Sequence, residues 1–139
     1  MKASLWYRIA AVLLVLFAVG HTMGFRKTEP AWGVDGLLSS LKQLHFNAQG
    51  FDRTYYDFYV GFGLFVSIFM VFAAVVAWQL GSLPGETVAS MPMVTWGFAL
   101  CMVAITVLSW TNFFVIPIVF SGLITMCLVV AAWLAGRAV

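Results

Sequence analysis

The residues able to do chemistry are few, and most are close together along the chain. His21 and His45 are the two histidines, and Asp52, Arg53, Tyr55, Tyr56, Asp57 and Tyr59 follow within a few turns of chain. Trp110 and Asn112 lie in a later stretch, Thr87 to Gly136, that carries no formal charge. A histidine beside a carboxylate can hydrogen-bond a carbonyl or hydroxyl, or exchange a proton with it near neutral pH. If the protein is an enzyme, His21 and Asp57 are the catalytic candidates. The ligand-binding candidates are His21, His45, Asp52, Arg53, Tyr56, Asp57, Trp110 and Asn112. No set of residues is spaced as a metal site. Cys101 and Cys127 are not a Cys-x-x-Cys pair and read as inert packing thiols. A Gly-rich phosphate loop and a serine–histidine–acid set are both absent.

Each candidate also has a purely structural reading. Thr54-x-x-Asp57 fits a capping box at the start of a helix. Asp52 with Arg53 reads as a solvated pair, Asn112 as a helix cap, and Tyr55, Tyr56, Tyr59 and Trp110 as interfacial aromatics. The His21 ring can be satisfied by a backbone carbonyl one turn back or by water. What favours a site is that these residues converge on one end once the chain is threaded through a membrane.

That threading follows from composition. Of 139 residues, 63% are hydrophobic and 9% charged, against about 25% charged in a soluble domain. A net charge of +2 from scattered basic residues does not make a nucleic-acid surface. A helical crossing takes ~20 apolar residues. Spans are expected at about residues 6–25, 55–80, 91–110 and 114–136 of a single transmembrane domain, with Trp6 and Tyr7 in the interfacial belt. The apolar run after Lys2 and Arg8 has signal-peptide features, but it continues to Phe25 and so reads as a retained span. The turn between the last two spans is expected at Ser109-Trp110-Thr111-Asn112, with Pro117 in the first turn of the returning helix. Basic residues number three on one side and four on the other, so orientation is open.

The expected fold is therefore an all-α, integral membrane four-helix bundle with an amphipathic interfacial helix between spans one and two. That helix is placed at about residues 35–47, with Asp35 as its N-cap. Val34, Leu37, Leu38, Leu41, Leu44 and Ala48 share its apolar face, on which His45 also falls. Gly20-x-x-x-Gly24 and Gly61-Phe62-Gly63 suggest close packing of spans one and two, which would bring His21 towards Asp57.

The strings His21-Thr22-Met23-Gly24, Arg53 to Gly63 (RTYYDFYVGFG) and Leu108-Ser109-Trp110 resemble an uncharacterised family of small bacterial four-helix integral membrane proteins. The architecture is also similar to DoxX-like proteins in size and span count. The resemblance implies a multi-pass protein of the bacterial inner membrane and carries over no activity. The leading functional expectation is binding of a lipid-soluble small molecule (a quinone, an isoprenoid or a lipid) at a polar mouth on one membrane face. Alternatives are a membrane isomerase or cyclase using acid–base chemistry, an accessory subunit of a larger complex, and a bis-histidine haem protein using His21 and His45. The cofactor is unknown. The expected partners are the bilayer itself, such a molecule, and a homo-oligomer or larger membrane complex.

Overall fold

The computed structural model describes residues 2–137. Four long helices dominate it: α1 (Ala3–Gly24), α3 (Tyr55–Leu80), α5 (Pro92–Asn112) and α6 (Val115–Gly136). All four are long and apolar enough to cross a membrane, and no more than 33% of the most apolar stretch of any of them is buried. Their outward faces are lined by large apolar side chains such as Leu16, Phe69, Val75, Leu100 and Ile116. Water would penalise such a surface by roughly 25 cal/mol per Å², so hydrocarbon is the solvent it suits. The fold is an all-α membrane bundle.

The chain divides into two compact units. Among the described residues, one takes the chain up to Phe17 together with the part from Met70 to Arg137. Its core is built from helical stripes: Tyr7, Ala10, Ala11 and Leu14 on α1, Ala74, Ala77 and Leu80 on α3, and Ile124, Leu128, Ala131 and Ala135 on α6. Alanine dominates these stripes, and small residues let helix backbones approach closely where dispersion drives association. Thr106 and Thr125 join α5 to α6 through a 2.9 Å hydrogen bond. Cys127 is buried in this core, while Cys101 is exposed and free.

Several expectations for this unit are corrected. Tyr7 is fully buried and belongs to the core, not to an interfacial belt. Helix α5 runs through Ser109 to Asn112, and the turn is made by the extended pair Phe113 and Phe114. Asn112 therefore does not cap α6. Its Nδ2 donates to the Leu108 carbonyl at 3.0 Å and so closes the end of α5. Pro117 does fall in the first turn of α6. A short helix α4 (Gly85–Ala89) precedes α5 and tucks Val88 into the core.

The other unit is Ala18–Phe69. After α1 the chain makes a single 3-10 turn (Pro30–Trp32) and then α2 (Asp35–Gln43). The amphipathic helix is thus shorter than the 35–47 expected, and its N-cap is Val34, with Asp35 the first helical residue. Leu44 is extended, and β1 (His45–Ala48) pairs antiparallel with β2 (Phe51–Thr54). The physical cause is the turn between them. Gln49 and Gly50 both have positive φ, 53° and 92°, the geometry that two-residue hairpins require. The Asn47 side chain accepts the Gly50 N–H at 2.7 Å and holds that turn.

Candidate functional site

Within the Ala18–Phe69 unit the polar residues fall into three local groups. The first joins α1 to α3. His21 Nδ1 and the Ser67 hydroxyl are 3.1 Å apart, and the Thr22 hydroxyl lies 2.8 Å from the same oxygen. Thr22 also reaches the Ala18 carbonyl at 2.7 Å. The His21 ring stacks on Phe25 with centroids 5.1 Å apart, and Phe25 in turn meets the Tyr59 ring at 5.8 Å. The Tyr59 hydroxyl donates to the Phe25 carbonyl. Phe25 also fills the space beside Gly63, where any Cβ would overlap its ring. At Gly20, Gly24 and Gly61 an added Cβ would meet nothing. The close approach in this unit is thus made by Gly63 against Phe25, not by the Gly-x-x-x-Gly pair.

The group behaves as a packing junction. Side-chain hydrogen bonds between membrane helices average about 0.6 kcal/mol, with a maximum of about 1.7. Ser67→Ala is therefore expected to lower stability by about 0.6 kcal/mol, read from reversible unfolding in mixed micelles. A loss several times larger would mean that the His21 ring depends on Ser67 alone.

The second group lies on the hairpin. His45 is not on a helix face. It opens β1, is exposed, and pairs its Nδ1 with Asp52 Oδ2 across the strands at 2.9 Å. On the opposite face of the hairpin Phe46 packs against Tyr55 and Phe58, at centroid distances of 4.9 and 5.8 Å. This docks the hairpin on the first turn of α3.

The third group is that first turn itself. Thr54 and Asp57 form the capping box read in the sequence. Thr54 N–H donates to Asp57 Oδ2 at 2.8 Å, Thr54 Oγ1 donates to it at 2.9 Å, and Asp57 N–H donates to Thr54 Oγ1 at 3.1 Å. Asp57 is exposed, and no hydrogen bond or ion pair joins it to His21 among the described residues. Beside it runs a groove of about 240 Å³ lined by Arg53, Asp57, Phe58, Gly61, Phe62 and Phe65. Arg53 lies over the Phe51 ring at 5.3 Å and donates from Nη1 to the Asp52 carbonyl at 2.7 Å.

The remaining candidates have their own surroundings. Lys42 stands 4.8 Å over the Tyr56 ring, so Tyr56 ties α2 to α3. Trp110 and Asn112 belong to the other unit, where Trp110 is exposed on α5. No group of three or more His, Cys, Asp or Glu that could hold a metal ion occurs among the described residues. The chain matches no protein-family model, no curated protein and no solved structure. Its function is therefore read from its own residues.

Two features were missed in the sequence. Ser67 is a lone hydroxyl in an apolar span, and only its burial on α3 gave a signal. Phe58, Phe62, Phe65, Phe69 and Phe72 recur at alternating steps of four and three, all of them exposed along one side of α3. That spacing is visible in the sequence and marks a continuous stripe.

Proposed function

We propose that the chain binds a lipid-soluble small molecule with a polar head, a quinone, an isoprenoid or a lipid, in the groove along the start of α3. The observation that carries this reading is the lining of the groove. Arg53 and Asp57 supply polar groups at one end, and Phe58, Phe62 and Phe65 supply an apolar wall. Pockets for such ligands combine a mostly apolar surface with a few placed polar groups. The resemblance noted above supports a multi-pass protein of the bacterial inner membrane, where ligands of this kind are dissolved. Proton transfer between His21 and Asp57 is not proposed, because each has a separate partner.

Gly61 provides the test. It lines the groove, and a Cβ added there has no atom within 4 Å. Gly61→Leu should therefore fill the groove and leave the fold intact. Excluding two methylenes of a tail at about 0.8 kcal/mol each lowers retention roughly tenfold. Native mass spectrometry of the detergent-purified protein reads the adduct directly, and equal retention in both proteins would sink the reading. An absorbance spectrum of the same sample decides the bis-histidine alternative, for which a Soret band is required.

A further inference from the structure

Resting on that reading, we propose that the occupant of the groove is a phospholipid with a phosphoethanolamine head, its phosphate on Arg53 and its ammonium on Asp57. Both residues line the groove and carry opposite charges, yet they are not joined. Among the described residues the one ion pair is His45 with Asp52. Each retains bonding capacity. Arg53 commits Nη1 to the Asp52 carbonyl, and Asp57 receives the Thr54 donors on Oδ2. The other Arg53 donors and Asp57 Oδ1 are left for a ligand.

The charge pattern selects among heads. A purely anionic head on Arg53 would face the Asp57 carboxylate, and a purely cationic one would face Arg53. A quinone carbonyl could accept from Arg53, but it offers the carboxylate only another acceptor. A zwitterion satisfies both. Arg53 lies in β2 and Asp57 in the first turn of α3, so the two charges border one groove from adjoining elements. A head whose phosphate and ammonium are joined by a short two-carbon spacer can address both. An ammonium with N–H donors can hydrogen-bond a carboxylate, whereas a quaternary one cannot. Of the nearby charges, Asp52 is paired with His45 and Lys42 lies over Tyr56, while Arg53 and His45 are the cations close enough to act on Asp57.

The tail has a track as well. Phe58, Phe62, Phe65 and Phe69 are all exposed on one side of α3 within the Ala18–Phe69 unit. From first to last they extend roughly 16 Å at 1.5 Å per residue, about one leaflet of a ~30 Å hydrocarbon core. An acyl chain lying along this stripe would keep the head at Arg53 and Asp57.

The experiment is competition among lipids. The full chain, delipidated in detergent, is equilibrated with mixed micelles holding equal phosphatidylethanolamine, phosphatidylglycerol and phosphatidylcholine, and bound lipid is read by native mass spectrometry. The expected result is about tenfold enrichment of phosphatidylethanolamine, the effect of one charge-assisted hydrogen bond. Arg53→Gln and Asp57→Asn should each abolish that preference, with helicity by circular dichroism unchanged. Retention that depends on Gly61 but ignores the headgroup, or that favours phosphatidylglycerol, keeps the groove as a ligand site and overturns the zwitterion. No retention of any lipid, with a dimer as the dominant mass, overturns both and makes the phenylalanine stripe an interface between copies.

Discussion

Replacing Gly63 by alanine is expected to destabilise the Ala18–Phe69 unit by about 1–3 kcal/mol, the range for overfilling a packed site. A Cβ at this position would overlap three atoms of the Phe25 ring, so the ring must move. Its freedom to do so is limited. The ring stacks on His21 and also meets the tilted Tyr59 ring, and the Tyr59 hydroxyl holds the Phe25 carbonyl. Such aromatic pairs contribute about 0.5–1.5 kcal/mol beyond the area they bury. Phe25→Leu alone should therefore also destabilise, but in the Gly63→Ala background it should recover much of the loss. The quantity that checks this is the coupling energy of the double-mutant cycle from reversible unfolding in micelles. Additive single effects would show that Phe25 relaxes without cost.

The same junction shows what could be read in advance. The spans were legible because an apolar run of the right length between charged or aromatic ends has few other solutions in water or lipid. Tyr55 and Leu80 bound α3 where the sequence placed them. The end of α2 was not legible for a specific reason. Leu44 and Ala48 continue the helical spacing of Leu37 and Leu41, so periodicity carries past Gln43. What ends the helix is a turn with Gln, not the commoner Asn, at the first left-handed position before Gly50. That error moved His45 from a helix face to an exposed strand. The turn after α5 was misplaced because Ser109, Thr111 and Asn112 are polar, while the residues that break the helix, Phe113 and Phe114, are not.

Of the candidate site, Arg53 and Asp57 were legible because charge beside a span is conspicuous. Their union with Phe58, Gly61, Phe62 and Phe65 in one groove was not. It depends on which side of α3 stays open, and that is decided elsewhere. Gly63 accepts Phe25, and Ser67 meets His21 and Thr22. These contacts commit the Gly63 and Ser67 side of α3 to α1 and leave the phenylalanine stripe unclaimed. The two histidines, the most conspicuous residues in the sequence, are spent on packing and on the hairpin.

Asp57 has two jobs in this account, and the second prediction separates them. As a capping group it accepts the Thr54 N–H and hydroxyl, while Thr54 Oγ1 accepts the Asp57 N–H. As a ligand group it offers negative charge to the groove. Thr54→Val keeps the shape of a buried side chain but removes the hydroxyl from both bonds. Loss of an N-terminal cap costs about 0.5–2 kcal/mol, so Thr54→Val should lower stability by that amount and speed amide exchange at residues 55–58. Thr54 does not line the groove, so phosphatidylethanolamine retention should change little. Asp57→Asn should do the reverse. An amide oxygen can still accept from Thr54, so the helix start persists while the charge that draws an ammonium is gone. If both variants lose stability and retention together, the capping box and the groove are one structural unit. Opposite profiles would show that a single carboxylate both starts the helix and selects what lies beside it.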